Sequence, residues 1–174
     1  MRKLCNIFIV ILYLISPTPL YSIEQPNFKN LIVYNKPKKL ENFEFTTQDK
    51  KLVRLNDFNN KLLIINFWAT WCAPCRDEMP SLDNLSNNDE FENLLVIPIN
   101  VGENSEKALS FFKDINVTNL KIFYDYNSDL AKKLFLRGLP TTLIVNKNGE
   151  EFSRILGAIN FEDKKLLKWL KNYD

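Results

Sequence analysis

Apolar residues fall in blocks along the chain, and the spacing within each block predicts an element. The first block, Leu4–Ile15, lies behind Arg2 and Lys3 and ahead of Ser16-Pro17-Thr18-Pro19. A basic start, an apolar run and a breaking end are the pattern of an export leader. Leu4–Tyr21 is barely long enough to cross a bilayer, which takes about 20 residues. Residues 1–22 are therefore expected to be a signal peptide ending at Ser22 or an N-terminal membrane anchor. Residues 23–36 are polar and read as a linker with a short edge strand near Leu31–Val33. One domain is expected over 37–174.

Within that domain Phe43-Glu44-Phe45-Thr46 alternates as a strand does, and Leu52–Leu55 returns as the second arm of a hairpin. Asn59-Asn60 reads as a turn, because asparagine tolerates the left-handed backbone. Leu62–Phe67 is almost continuously apolar, the mark of a strand covered on both faces. The period then lengthens, predicting a helix over Ala73–Ser86 with Pro80 inside it. Leu94–Val101 is a second buried strand. Ser105 is expected to cap a helix to Ile115 that puts Ala108, Phe111, Phe112 and Ile115 on one face. A third strand is expected at Lys121–Tyr124, a short helix from Ser128 to Phe135, and a fourth strand at Thr141–Val145. Asn146-Lys147-Asn148-Gly149 reads as a hairpin turn into Glu151–Gly157, and Phe161–Asn172 as a closing helix. Strands alternating with helices predict an α/β fold whose mixed, mostly parallel sheet is covered on both faces.

Composition narrows the chemistry. The chain has 174 residues, enough for one domain with its own core. Lys and Arg number 23 and Asp and Glu 21, and Arg2 and Lys3 lie in the leader. The rest is balanced and gives no electrostatic reason to bind nucleic acid. No histidine is present, which removes Ser-His and Cys-His catalysis and most catalytic zinc sites. Neither a metal nor a cofactor is expected. Of the three cysteines, Cys5 falls in the leader and reads as a bystander.

Cys72 and Cys75 stand where the strand through Asn66-Phe67-Trp68 turns into a helix. The first-turn N–H groups of a helix are unpaired and its dipole favours negative charge. A Cys72 thiolate is stabilised there, and its pKa is expected below the free value of about 8.5. Cys75, one turn on, can close a disulfide with it. A zinc site needs about four ligands, and the chain lacks them. A purely structural bridge over so short a loop would contribute only about 2 kcal/mol. A redox-active pair remains as the favoured reading.

Asn66-Phe67-Trp68-Ala69-Thr70-Trp71-Cys72-Ala73-Pro74-Cys75, Glu78-Met79-Pro80 and Gly138-Leu139-Pro140-Thr141-Thr142 together resemble the thioredoxin superfamily, and within it the exported TlpA/ResA-type branch. The lead-in Val53–Lys61 is similar too, with Asn60 where that branch has Gly. The resemblance runs from about Pro37 to the C-terminus. It implies a thioredoxin-like three-layer fold with an N-terminal β-hairpin and a central βα insertion over Asn100–Phe135. It implies Cys72 as exposed nucleophile and Cys75 as buried resolving thiol. Pro140 is implied to be cis and to face the pair. Trp71, Ala73, Pro74, Leu139 and Thr141 are implied to border the substrate, with Trp71 covering the site edge and the Leu139 backbone free to pair with a peptide. Trp68 reads instead as core. Plain thioredoxins carry a buried Asp where this chain has Asn66, and the resemblance implies that Glu78 supplies the carboxylate that tunes the thiols.

The function implied is a monomeric thiol:disulfide oxidoreductase on the periplasmic side of the bacterial inner membrane. Its implied substrates are protein disulfides, such as those of apocytochromes c or oxidase copper sites. A DsbD/CcdA-like membrane protein would re-reduce it. A general dithiol oxidant or isomerase and a redox-inert peptide-binding module are the alternatives. A peroxidase fits the WCxxC pair less well.

Overall fold

In the computed structural model, which describes residues 24–174, the sheet is laid around β4 (Leu62–Trp68). All seven of its residues are buried, as the continuous apolar run requires. The leader or anchor expected at 1–22, Cys5 included, lies outside the described residues.

Among the described residues the sheet has eight strands, β1 (Leu31–Lys39), β2 (Glu44–Thr46), β3 (Leu52–Arg54), β4, β5 (Leu94–Val101), β6 (Phe123–Asp125), β7 (Thr141–Val145) and β8 (Glu150–Leu156). Their spatial order is β1-β8-β7-β4-β5-β6-β2-β3. Only β4–β5 and β5–β6 run parallel; every other pairing is antiparallel. The sheet is mixed, as expected, but not mostly parallel. Alternation of strands and helices is blind to hairpins, and two hairpins, β2–β3 and β7–β8, build the flanks. The second turns through Gly149 at φ +76.

β1 also departs from expectation. It occupies nine residues and reaches into the stretch read as a linker, pairing with β8 from Leu31↔Ile155 to Lys39↔Glu150. Its three lysines, its Pro37 and its solvent-facing residues hide the alternation that reveals inner strands. They also suit an exposed edge, where charge and proline discourage pairing with other chains. Just before β1, the Asn30 carbonyl accepts from the Leu156 N–H (2.9 Å), and the Asn30 side chain donates to the carbonyls of Gly157 (3.4 Å) and Ala158 (3.3 Å).

Helices α1 (Ala73–Ser86), α2 (Ser105–Asp114), α3 (Asp129–Lys133) and α4 (Lys164–Lys171) complete the three layers. One apolar cluster packs α1, α2 and α4 on the sheet through Met79, Leu82, Phe111, Phe112, Leu166 and Trp169. Trp68 is fully buried within it, its ring 5.0 Å from those of both Phe111 and Phe112. The other cluster joins Phe43 and Phe45, the β4 residues Leu63 and Ile65, and Leu130 of α3. The stretch expected as an insertion carries α2, β6 and α3. Two helix starts shift. Asn104, not Ser105, caps α2, accepting from the Lys107 N–H at 3.0 Å. Asp163 caps α4, because the Phe161 N–H is already held by Ser81 Oγ at 3.0 Å.

Candidate active site

Phe67 of β4 pairs with Thr141 of β7, so the chain leaving β4 toward Cys72 and the chain entering β7 from Pro140 meet at one end of the sheet. Cys72 is the N-cap of α1. Its sulfur lies 3.3 Å from the Cys75 N–H, which donates to it. Pro74, in the first turn, has no N–H to leave unpaired. Cys72 and Cys75 are joined in a disulfide with Cα atoms 5.3 Å apart. Cys75 is fully buried. Cys72, expected exposed, is only 4% so, and is the more accessible of the two. Ala73 and Pro74 are exposed beside it. Trp71, expected to cover the edge, is 71% exposed.

The Leu139–Pro140 peptide bond is cis. Pro140 is buried, and its carbonyl accepts from the Gly157 N–H at 2.8 Å. The ladder of β7 starts at Thr141, so the Leu139 backbone lies outside it, while the Leu139 side chain touches both apolar clusters. Thr141 is buried with its hydroxyl donating to the Gly138 carbonyl at 2.8 Å. Its side chain therefore shapes the loop from within and is not presented to a substrate.

Glu78 lies one turn beyond Cys75, on the buried side of α1, and is 2% exposed. Asn66 Nδ2 donates to its Oε1 at 2.8 Å, and the Ile159 N–H donates to Oε2 at 3.3 Å. Asn66 Nδ2 also donates to Thr142 Oγ1 at 2.9 Å, the residue it faces across β4–β7. Burial pushes the Glu78 carboxyl up from 4.5 to about 8, and its two hydrogen bonds offset only part of that. Strand, helix and the loop after β8 thus converge on one carboxyl group, one turn along α1 from Cys75.

Glu103 is a further contributor that sequence reasoning missed. Its Oε2 accepts from the Thr70 N–H (2.7 Å) and from Asn100 Nδ2 (2.9 Å), and its Oε1 from the Thr70 hydroxyl (2.6 Å). Burial alone would raise its pKa, but the bonds from Thr70 and Asn100 prevail and hold it below the usual carboxylate range. The clamp ties the segment just before Cys72 to the end of β5. Gly102, at φ +73, makes the turn; a Cβ there would meet Ser128 Oγ at 2.8 Å. No spacing rule flags a carboxylate so far along the chain from the Thr70 segment it holds. Only its neighbour Gly102 hints at a constrained turn.

The sequence pattern of the AhpC/TSA family, one of the thioredoxin-like families, matches residues 37–150. The chain belongs to the AhpC/TSA family. Among curated proteins it is 28% identical over 118 residues to the thiol-disulfide oxidoreductase ResA of Bacillus subtilis, covering 68% of this chain and 65% of that one. It is 33% identical over 110 residues to ResA of Geobacillus kaustophilus, covering 63% of each. The chain thus spans a little under two thirds of the length of these relatives. Among solved structures, a DsbF homologue from Corynebacterium diphtheriae superposes with a TM-score of 0.70 at 26% identity, covering 86% of this chain and 96% of that one. The thioredoxin-like fold and the ResA-type resemblance expected from the motifs both hold.

Within this AhpC/TSA-family chain, the structure gathers Cys72, Cys75, Glu78 and Pro140 at one end of the sheet, flanked by Trp71, Ala73, Pro74 and Leu139. A thiol at a helix N-terminus, a second thiol one turn on and a buried carboxyl are the kinds of group that thiol–disulfide exchange draws on, as attacking thiolate, resolving thiol and proton acceptor.

Proposed function

We propose that the protein is an exported thiol:disulfide oxidoreductase that reduces disulfides in other proteins. The observation that carries this reading is the Cys72–Cys75 disulfide at the start of α1, with the buried Glu78 carboxyl one turn further along the same helix. In the reduced protein the Cys72 thiolate attacks one sulfur of a substrate disulfide. A mixed disulfide forms and the first substrate thiolate leaves. The Cys75 thiolate then attacks Cys72 Sγ, the Cys72–Cys75 disulfide forms, and the second substrate thiolate leaves. Two electrons pass to the substrate, and its two thiolates take up protons.

Glu78 is suited to accept the Cys75 proton. A carboxyl at about 8 is closely matched to a thiol near 8.5, and proton transfer works best between groups so matched. Asn66 contributes an amide that orients the carboxyl and does not titrate. The Leu139 backbone, outside the ladder, is placed to pair with an extended substrate segment.

The basic start and apolar run before residue 22 support export, with the domain on the periplasmic side either free or anchored. A reductant in an oxidising compartment needs electrons from inside, so a DsbD/CcdA-like membrane donor belongs to the reading. So do substrates awaiting haem or copper, such as apocytochromes c or oxidase copper sites. Trapping on a Cys75→Ser variant tests this, because the mixed disulfide on Cys72 then has no resolving thiol. Capture of cysteine-bearing haem- or copper-site proteins is the expected result; capture of general secretory cargo alone would sink the maturation role. A potential near −270 mV or lower marks a reductant, and one near −120 mV an oxidant.

A further inference from the structure

The turn that ends α3 carries a side chain its backbone does not favour. The Phe135 N–H donates to the Lys132 carbonyl at 3.0 Å and the Leu136 N–H reaches back to the Ala131 carbonyl at 3.0 Å. That pair of bonds is the Schellman arrangement, whose central residue is left-handed and is usually glycine. Phe135 holds the position at φ +53, a conformation disfavoured for a bulky side chain. Its ring gains nothing in return from the fold. It is 84% exposed, the most exposed of the large apolar residues described, while Leu134 and Leu136 on either side turn into the core. A bulky residue held in a strained left-handed turn, with no packing by its ring to offset the strain, points to a use outside the isolated chain.

Its place in the fold indicates which use. Leu139 follows Phe135 within at most about 14 Å of extended chain, and Leu139 precedes the cis-proline at the end of the sheet where the disulfide lies. Between them Arg137 is exposed and has no carboxylate partner among the described residues, whereas the nearby Lys132 and Lys133 are paired with Asp129 and Glu41.

We propose that Phe135 and Arg137 form a docking extension of the active site, which selects the polypeptide that enters it. This rests on the oxidoreductase reading above. The occupant is an extended, cysteine-bearing segment of the substrate protein, aligned along the Leu139 backbone. It carries an aromatic or large aliphatic side chain within about four residues of its reactive cysteine, and a carboxylate beside that side chain for Arg137. The distance along the loop sets the spacing, the uncovered ring sets the apolar requirement, and the unpaired guanidinium sets the charge.

Phe135→Gly and Phe135→Asn test the proposal, since both residues accept the left-handed turn. Reduced wild type and variants are assayed with two peptide disulfides, one with Phe and Asp placed three and four residues from its cysteine and one with Ser at both positions. Hydroxyethyl disulfide serves as the reference substrate. The expected result is that KM for the Phe-Asp peptide rises about tenfold in both variants relative to hydroxyethyl disulfide, the loss of burying roughly one aromatic ring. They should show no such loss for the Ser-Ser peptide, and neither should unfold earlier than wild type. Wild-type discrimination in both variants would overturn the docking role. An equal loss on both peptides would overturn it too, since the effect would then lie at the cysteines. A wild type inert toward all three disulfides would instead overturn the oxidoreductase reading itself.

Discussion

Replacing Glu78 with Gln separates the proton at that site from the shape of the side chain. Burial raises the Glu78 carboxyl from 4.5 to about 8. Between those values the folded protein keeps a proton there that the unfolded chain has released. The contribution of Glu78 to stability is therefore fully present below about pH 4.5 and is lost as pH rises through about 8. The slope approaches about 1.4 kcal/mol per pH unit, which over the whole window is of the order of 5 kcal/mol. Gln has the same shape and no proton to lose. Its Oε1 keeps the 2.8 Å bond from Asn66, but its NH2 group meets the Ile159 N–H that now donates at 3.3 Å, at a cost of about 1 kcal/mol. The two stability curves should therefore cross at about pH 5: E78Q is less stable than wild type at pH 4 and more stable at pH 8.5. Denaturant unfolding of the oxidised proteins at intervals from pH 4 to 9 measures this directly. Parallel curves would show that Glu78 does not titrate in this window, and the proton-acceptor role would go with it.

Two further outcomes follow from contacts near the site. Glu103→Ala removes the acceptor of three hydrogen bonds on the segment leading to Cys72 and should cost about 2 kcal/mol at pH 7. Because that carboxyl is held low, its contribution is present above the ordinary carboxylate range and lost as pH falls, so the variant's acid limb should be flatter in the same unfolding series; an unchanged limb would remove the clamp. Trp68→Ala empties the space between the Phe111 and Phe112 rings and should cost about 3–5 kcal/mol, read as a lowered denaturation midpoint. A loss under about 1 kcal/mol would mean that Trp68 does not anchor α2.

The parts of the fold legible in the sequence are those where burial leaves no choice. β4, β5 and β7 lie inside the sheet, so their apolar runs are continuous and their limits fall within a residue or two of expectation. α1 is legible for a different reason, since a cysteine cap, a proline in the first turn and a helical period coincide. The edge strand β1 is obscured because water covers much of it and lysine serves it as well as valine. Strand direction is obscured because it depends on which side of the sheet the chain re-enters after α3. At the site, Cys72, Cys75 and Pro140 carry recognisable local patterns. The buried position of Glu78 was legible only through the missing carboxylate at Asn66. The Glu103 clamp and the left-handed Phe135 depend on turns that no periodicity reports.

The seat of Asn30 bears on how the protein meets its partners. Its bonds to Leu156, Gly157 and Ala158 place the entry of the chain beside the segment that holds the Pro140 carbonyl. The disulfide and the start of the domain therefore share one end of the sheet. From residue 23 to Asn30 the chain can reach about 25 Å at most. Were residues 1–22 retained as an anchor, this short leash would hold the reactive end toward the bilayer and not away from it. Encounter with the membrane-embedded electron donor proposed above would then be a search across a surface, whereas a soluble substrate would have to approach from the side.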